Sequence, residues 1–484
     1  MRTFEGLLWF VTAVWAGWWV VRRPGRGVNG VFSSVVALVA ALHFGLEGAR
    51  FHMTPTYVLG ACLVALSLWT ASLGNRPSRS PLWIRVVLGL PVAVIVVTAA
   101  VLPIFFPVFE YPNPGGSYGI GTAEYELRNA PRGRDLVIQA WYPVAAESRG
   151  NRAGITSRPE LLEAAYASFT GLPKPLFQNI RFVKTHAIQN AALASDLPRF
   201  PVVLFSHGPL SANRSQSVFQ MEALASRGFI VVAIDHTGYA STTIFPDGHT
   251  VPPSLDAAWP VFVDARSTAM LTTWVADVRF VIDRLEALNQ GDPNGLLTGR
   301  LDLSRIGYMG ASFGGSVVVQ ALLDEPRIRA GIAQDGKPYF ADQTLTDLRR
   351  PLMYMQSAAP YIKSSDAQLA RWGLTAALFK TAEQDHYARQ MQLFGRASAP
   401  IYNVYIRRTN HVTFSDLYLI IGVPDSSLMD IRRAHTIIND YTVAFFDQYL
   451  NGVPGRLVDG LTPSPYEDVT VASRNVERRI ANAR

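Results

Sequence analysis

Hydrophobic and polar positions divide the chain into two regimes. Four long apolar stretches fill the first hundred residues: Phe4 to Val21, Val28 to Leu46, Tyr57 to Leu73 and Leu82 to Phe106. Only short polar joints separate them, and each is about long enough to cross a hydrocarbon core of roughly 30 Å. A turn-rich segment follows, Tyr111-Pro112-Asn113-Pro114-Gly115-Gly116-Ser117. Beyond it the pattern changes to short apolar runs alternating with longer helical patterns. Residues 135–142, 201–205, 229–234, 306–309, 330–334, 352–356 and 402–406 read as strands. Residues 159–168, 216–227, 267–288, 317–323 and 428–449 read as helices. That alternation predicts an α/β fold with a mostly parallel, doubly wound sheet, preceded by four transmembrane helices. The expected organisation is a four-span region over 1–109, a linker over 110–117 and a large domain over 118–484. Residues 158–200 are expected to form a cap or an excursion over the site. In such sheets sites lie at the carboxyl ends of strands, where Ser206, Asp235, Ser312 and Asp335 fall.

Composition supports the membrane reading. Of the 484 residues 49% are hydrophobic, high for a wholly soluble protein. The single cysteine, Cys62, excludes a disulfide framework within the chain and any multi-cysteine zinc site. Lying in an apolar run, it reads as a buried small hydrophobe. The net charge of +7 does not point to nucleic acid, because Lys and Arg are scattered and several flank the apolar stretches. Trp9, Trp15, Trp18, Trp19, Trp69 and Trp83 cluster here, as in interfacial belts. Glu5, at the edge of the first stretch, can stay in the interface, and Arg85 can snorkel to it. Arg22, Arg23 and Arg26 follow the first stretch instead of preceding it, which argues against a signal peptide. With Arg76 and Arg79 they make the first and third joints positive and hence cytoplasmic; the joint holding Glu47, Arg50 and His52 is nearly balanced. Four spans then leave the N-terminus and everything after Phe109 outside the cytoplasm. His43 is the only titratable residue well inside a stretch; such a lone histidine is more often hydrogen-bonded to a neighbouring helix than functional. The bundle reads as an anchor.

Candidate chemistry centres on Gly310-Ala311-Ser312-Phe313-Gly314-Gly315, a G-x-S-x-G sequence between a strand pattern and a helix pattern. This is the setting of a nucleophile elbow: the chain turns sharply and leaves the serine hydroxyl at the sheet edge. Side chains at Gly310 and Gly314 would collide in that turn. Helix N-terminal N–H groups would face any negative charge forming beside Ser312. A serine needs a base, usually a histidine held by a carboxylate. In elbow-bearing sheets the chain order is serine, acid, histidine. His386, His411 and His435 follow Ser312. His435 lies in the final helix pattern and His386 in a polar helical segment. His411 follows the strand over 402–406 and can reach back to the elbow. Among the acids, Asp335 ends the strand after the elbow helix, whereas Asp324, Asp342, Asp347 and Asp366 fall in helix-end or loop patterns. The amide of Phe313 is the expected first oxyanion donor, and the loop His207-Gly208-Pro209-Leu210 should supply the second. No H-E-x-x-H and no Cys/His cluster is present, so no metal or cofactor is expected. His207 and His236, at strand ends, could contact substrate but read more readily as packing or loop residues.

Phe205-Ser206-His207-Gly208, the elbow, Ile332-Ala333-Gln334-Asp335-Gly336 and Asn410-His411 together resemble the platelet-activating factor acetylhydrolase family of plasma type. Gly119-Ile120-Gly121 and Ala140-Trp141-Tyr142-Pro143 resemble the opening of that family's domain. These are α/β-hydrolases related to dienelactone hydrolases and bacterial lipases. The resemblance covers residues 117–450 in patches and omits the four stretches. It implies Ser312 as nucleophile, Asp335 as acid and His411 as base. One position departs from it: the family's second oxyanion donor is the N–H after His-Gly, and here Pro209 has none. Leu210 could take over by a one-residue shift, or Asn213 could donate from its side chain. The expected function is a membrane-anchored serine hydrolase cleaving carboxylic esters, lipid or short-acyl, with an ester substrate and the membrane as partners and no nucleic acid. A peptidase or acyltransferase on the same fold is the enzymatic alternative. A non-catalytic membrane receptor or scaffold is the alternative from another class.

Overall fold

The computed structural model describes residues 1–21, 24–72, 82–209, 212–254, 264–338, 347–359, 375–422, 426–459 and 462–475. Arg22, Arg23, Arg76, Arg79, Leu210, Asp342 and Asp366 therefore lie outside the described residues. The chain separates into two compact units. One comprises Met1–Phe109, Thr170–Val183 and Leu419–Val423; the other comprises Glu110–Phe169, Lys184–Tyr418 and Pro424–Arg484.

The first unit holds helices α1 (Thr3–Val21), α2 (Arg26–Leu42), α3 (Thr54–Ser72) and α4 (Leu82–Phe105). Three helical segments, Thr3–Val21, Arg26–Glu47 and Phe51–Ser72, are long and apolar enough to cross a membrane. In α4, which contains Pro91 and Pro103, the apolar stretch Gly89–Phe105 is shorter. Leu8, Trp15, Val36, Val39, Leu59 and Leu63 form the interior of this unit. Phe10, Leu38, Leu68 and Leu90 face outward, as lipid-facing side chains do. Cys62 also faces outward from α3, contrary to the buried position its apolar setting suggested.

Glu5 is fully buried inside this unit, with Arg50 Nε 2.6 Å and Arg2 Nη2 2.7 Å from its carboxylate. A charge this deep needs a partner, and Arg50, 45 positions along the chain, cannot be paired with it from periodicity. His43 lies 3.0 Å from Glu47 Oε2 and 2.6 Å from the Tyr57 hydroxyl, the hydrogen-bonded state expected of it. Ligand atoms of Glu5, His43 and Glu47 lie within 4.8 Å of one another. Arg2 and Arg50 already supply positive charge there. The two later pieces of chain are tied into the same unit. Asn179 Nδ2 donates to Pro107 O at 2.8 Å and to Ile420 O at 2.9 Å, and His52 Nε2 donates to Leu176 O at 2.8 Å.

The second unit is built on β1 (Gly119–Leu127), β2 (Leu136–Val144), β3 (Arg152–Gly154), β4 (Lys184–Gln189), β5 (Phe200–Ser206), β6 (Ile230–Asp235), β7 (Thr243–Ile244), β8 (Thr250–Val251), β9 (Leu301–Ala311), β10 (Ile328–Gln334), β11 (Leu352–Ala359), β12 (Ile401–Asn410) and β13 (Val469–Arg474). Among the described residues the main sheet runs β13-β12-β11-β10-β9-β5-β6-β2-β1-β4-β3, and β7 pairs with β8 in a hairpin. β5 pairs in parallel with both β6 and β9, and β9, β10, β11 and β12 continue in parallel. β2 is antiparallel to β6, and β13 to β12. The central strands read as unbroken apolar runs because both faces are covered; every residue of β5 and β6 is buried. The chain turns to opposite sides after β5 and β9, and such a switch point opens a crevice at the carboxyl ends.

Helices α5 (Pro159–Thr170), α6 (Val218–Ala225), α7 (Asp264–Gln290) and α8 (Phe313–Asp324) follow the expected patterns closely. Trp274 and Val278 of α7 pack in the main core with Leu204, Tyr308 and Val318. Within the segment expected as a cap or excursion, β4 joins the sheet beside β1, with Gly121 opposite Ile188.

Candidate active site

β9 ends at Ala311 and α8 begins at Phe313, which leaves Ser312 alone at the corner. Its backbone has φ 58° and ψ −126°, a conformation a non-glycine residue adopts only when its surroundings impose it. The Ser312 N–H donates to Gln334 O at 2.8 Å, and its carbonyl accepts from Gly315 N at 2.9 Å. Glycines make the corner possible. A Cβ on Gly310 would sit 2.4 Å from Gly314 C, and one on Gly314 would sit 2.1 Å from Ser206 O. A Cβ on Gly336 would meet Gly315 C at 2.5 Å, so the turn after β10 packs directly against the elbow.

That turn carries Asp335, itself at φ 45°. Its N–H donates to Met355 O at 2.9 Å. Ser357, at the end of β11, donates from its N–H to Asp335 Oδ1 at 2.8 Å and from Oγ to Oδ2 at 2.5 Å. His411 Nδ1 lies 3.3 Å from the same Oδ2. The histidine opens a short 3-10 turn, His411–Phe414, capped by Asn410: Oδ1 accepts from Val412 N at 3.1 Å, and the Asn410 N–H donates to Thr413 Oγ1 at 3.0 Å. The imidazole is 19% exposed and the carboxylate 8%, so the ring reaches solvent while its partner is covered.

The competing candidates are engaged differently. His386 lies in the helix Ala376–Arg396, where burial, with Lys337 adding to it, pushes it down to about 3. His435 stacks on Phe219 with ring centroids 3.5 Å apart, and burial holds it at about 3. Asp324 accepts from Gln320 Nε2 at 2.8 Å and Asp347 from Ser398 N at 2.7 Å, both as local supports.

On the other side of Ser312 the loop after β5 passes very close. A Cβ on Gly208 would lie 3.2 Å from Ser312 Cβ and 3.6 Å from its Oγ. The Gly208 N–H donates to Gln216 Oε1 at 2.7 Å. Of the residues expected to complete the oxyanion hole, Phe313 opens α8 and packs edge-on to Trp274 at 5.3 Å. Asn213 is buried, with Oδ1 accepting from Ser215 N at 2.9 Å.

A second Ser–His–Asp series lies beside this loop; Ser206 and His236 were placed at strand ends by their patterns, but Asp277 was not anticipated as their partner. Ser206 Oγ lies 2.8 Å from His236 Nε2, and His236 Nδ1 lies 3.0 Å from Asp277 Oδ2. All three are fully buried, so no substrate reaches them. Tyr308 OH is 2.7 Å from Ser206 Oγ, and Arg132 and Arg134 pair with Asp277 at 2.8 and 2.9 Å. Burial pushes His236 down to about 4, against the pull of Asp277. The His236 N–H donates to His207 Nε2 at 3.2 Å, so both histidines are engaged in holding the strand ends. Asp235 is likewise taken, by Arg214, whose N–H donates to Oδ1 at 2.6 Å. Asp416, also unanticipated, clamps two loops together. Its Oδ2 accepts from Val218 N and the Tyr111 hydroxyl, each at 2.9 Å, and its own N–H donates to Gln216 O at 2.9 Å.

A strained serine at a strand–helix corner, a carboxylate–imidazole pair at neighbouring strand ends and a close loop can together support acyl transfer. The comparisons with known proteins agree with the motifs. A family model, platelet-activating factor acetylhydrolase, isoform II, matches residues 110–269 and 284–422. The chain belongs to this family. It is 24% identical over 270 residues to a platelet-activating factor acetylhydrolase of Canis lupus familiaris, covering 51% of this chain and 60% of that one. It is 30% identical over 272 residues to the Cavia porcellus protein of that name, with coverage of 51% and 60%. A probable 1-alkyl-2-acetylglycerophosphocholine esterase of Arthroderma benhamiae is 31% identical over 167 residues, 33% of this chain and 38% of that one. The chain thus spans about 60% of the length of the acetylhydrolases first named. A ferulic acid esterase from Streptomyces cinnamoneus superposes with a TM-score of 0.58 at 26% identity, over 75% of this chain and 98% of that one.

Proposed function

We propose that this protein is a membrane-anchored serine hydrolase of carboxylic esters, with Ser312 as nucleophile, His411 as base and Asp335 as the acid orienting it. The observation carrying the reading is Ser312 at φ 58° on the β9–α8 corner, while the next strand ends supply a carboxylate and an imidazole 3.3 Å apart. With Nδ1–H directed at Asp335, Nε2 of His411 is left basic, the tautomer a general base requires. Ser312 Oγ loses its proton to Nε2 as it bonds to the acyl carbon, and the carbonyl electron pair moves onto oxygen. The Phe313 N–H, in the first turn of α8, stabilises that oxyanion. Collapse expels the alcohol, protonated by His411. Water, activated by the same imidazole, then releases the acid and restores Ser312.

The relatives, named for acetylhydrolase and glycerophosphocholine esterase activities, support a substrate class. Lipid esters with a short acyl group are the favoured substrates, and an anchor would keep the domain beside them. Four spans, with α4 as the last, and positive first and third joints favour a large domain outside the cytoplasm. Treating the full-length protein in detergent with a fluorophosphonate probe tests the catalytic reading. Labelling of wild type but not of Ser312→Ala is expected; equal labelling of both removes Ser312 from the chemistry. Loss of p-nitrophenyl acetate hydrolysis in His386→Ala with retention in His411→Ala would overturn the base assignment.

A further inference from the structure

We propose that the side-chain amide of Gln216 donates to the oxyanion from the side where Pro209 leaves no backbone N–H. This rests on the serine-hydrolase reading above. An oxyanion hole needs convergent donors fixed before the reaction. Phe313 supplies one. At the position after His207-Gly208, proline closes the backbone route.

Gln216 is placed to replace it. Its amide orientation is settled by chemistry: Gly208 N–H can only donate, so the atom 2.7 Å away is Oε1. Nε2, the donor, is therefore directed away from that N–H. It lies 3.8 Å from the point a Gly208 Cβ would occupy, and this same point lies 3.6 Å from Ser312 Oγ. Nucleophile and amide donor thus flank the same side-chain-free backbone position. The carbonyl oxygen, gaining charge as Oγ bonds to its carbon, accepts from Nε2 in the proposed complex. No atom passes to or from Gln216; the serine proton goes to His411, and the new negative charge gains one N–H.

The donor is also firmly mounted. The Gln216 N–H donates to Asn213 O at 2.9 Å, and its carbonyl accepts from Asp416 N at 2.9 Å. Asp416 is itself held by Val218 N and Tyr111. Since Asp416 follows the His411 turn, the base and the proposed donor share one support.

The test compares p-nitrophenyl acetate with its thionoester, whose sulfur accepts hydrogen bonds poorly, using full-length protein in detergent. Gln216→Met removes the donor. Gln216→Glu removes it while keeping an acceptor for Gly208, so it separates donor loss from loop collapse. Both are expected to lower kcat on the oxygen ester by about 10²–10³, with KM little changed and a much smaller loss on the thionoester. Retention of kcat within about threefold in both variants, or equal losses on the two substrates, overturns the role of Gln216. If Ser312→Ala keeps wild-type activity, the underlying hydrolase reading falls instead, whatever Gln216 does.

Discussion

Ser357 grips both oxygens of Asp335, its N–H at 2.8 Å from Oδ1 and its hydroxyl at 2.5 Å from Oδ2. The oxygen shared with the hydroxyl is the one facing His411. Ser357 therefore sets the direction of the carboxylate, and through it the imidazole. Hydrogen bonds to charged groups contribute about 1.5–3 kcal/mol, so Ser357→Ala should lower kcat about tenfold or more with KM nearly unchanged. Steady-state kinetics on p-nitrophenyl acetate decide it; wild-type kcat would show that the backbone N–H alone suffices.

Two glycines should respond oppositely to alanine. At Gly314 the added Cβ would lie 2.1 Å from Ser206 O, backbone that cannot give way. Gly314→Ala should cost about 3 kcal/mol or more and abolish probe labelling. Gly395, in the helix Ala376–Arg396, has nothing within 4 Å. Gly395→Ala should stabilise by about 0.5–1 kcal/mol. Urea midpoints of the two variants would reveal an error in either sign.

Acid should weaken the second unit through its buried histidines. His236 and His435 are held neutral at about 4 and about 3, against 6.5 when free. The unfolded chain then binds protons below pH 6.5 that the folded chain refuses. Their stabilising contribution is complete above pH 6.5 and is lost as pH falls toward 4. At pH 5 each should cost about 2 kcal/mol relative to pH 7. Denaturant midpoints measured at both values should fall on acidification, and His435→Phe should shrink that fall. An unchanged slope in His435→Phe would mean that this site protonates without unfolding.

The Glu5–Arg50 pair should behave as a coupled unit. Removing one partner strands a buried charge and costs about 3–5 kcal/mol. Glu5→Gln with Arg50→Met should cost far less than the sum of the single changes. Thermal melting in detergent around this double-mutant cycle gives the coupling, and simple additivity would refute the pairing.

Legibility in the sequence followed burial. β5, β6, β9 and β10 were readable because strands covered on both faces become continuous apolar runs. β4, KTHAIQ, and β13, VTVASR, are edgeward strands with polar residues interleaved, and they gave no such signal. β12 extends four residues beyond its apolar run, which brings Asn410 to the strand end and His411 into the turn. Ser312, Asp335 and His411 could be singled out as candidates by chain order together with their places at strand ends. Ser357 could not, because its role depends on β10 and β11 pairing with Gln334 opposite Met355. Gln216 read as the start of a helix pattern, yet it precedes α6 and turns its amide toward Gly208. Likewise no pattern joins Glu5 to Arg50.

Asn179 donates to Pro107 O, and Phe177 rests edge-on against Phe106 at 5.8 Å, so residues 170–183 belong structurally with helices that precede them by decades of chain. The helical region is therefore no detachable leash. Trimming the chain at Phe109 would strip Phe177 of the Phe106 ring and deprive Asn179 of its Pro107 acceptor, leaving an apolar scar on the remainder. A version of this protein without its first hundred residues would also have to rewrite that strip.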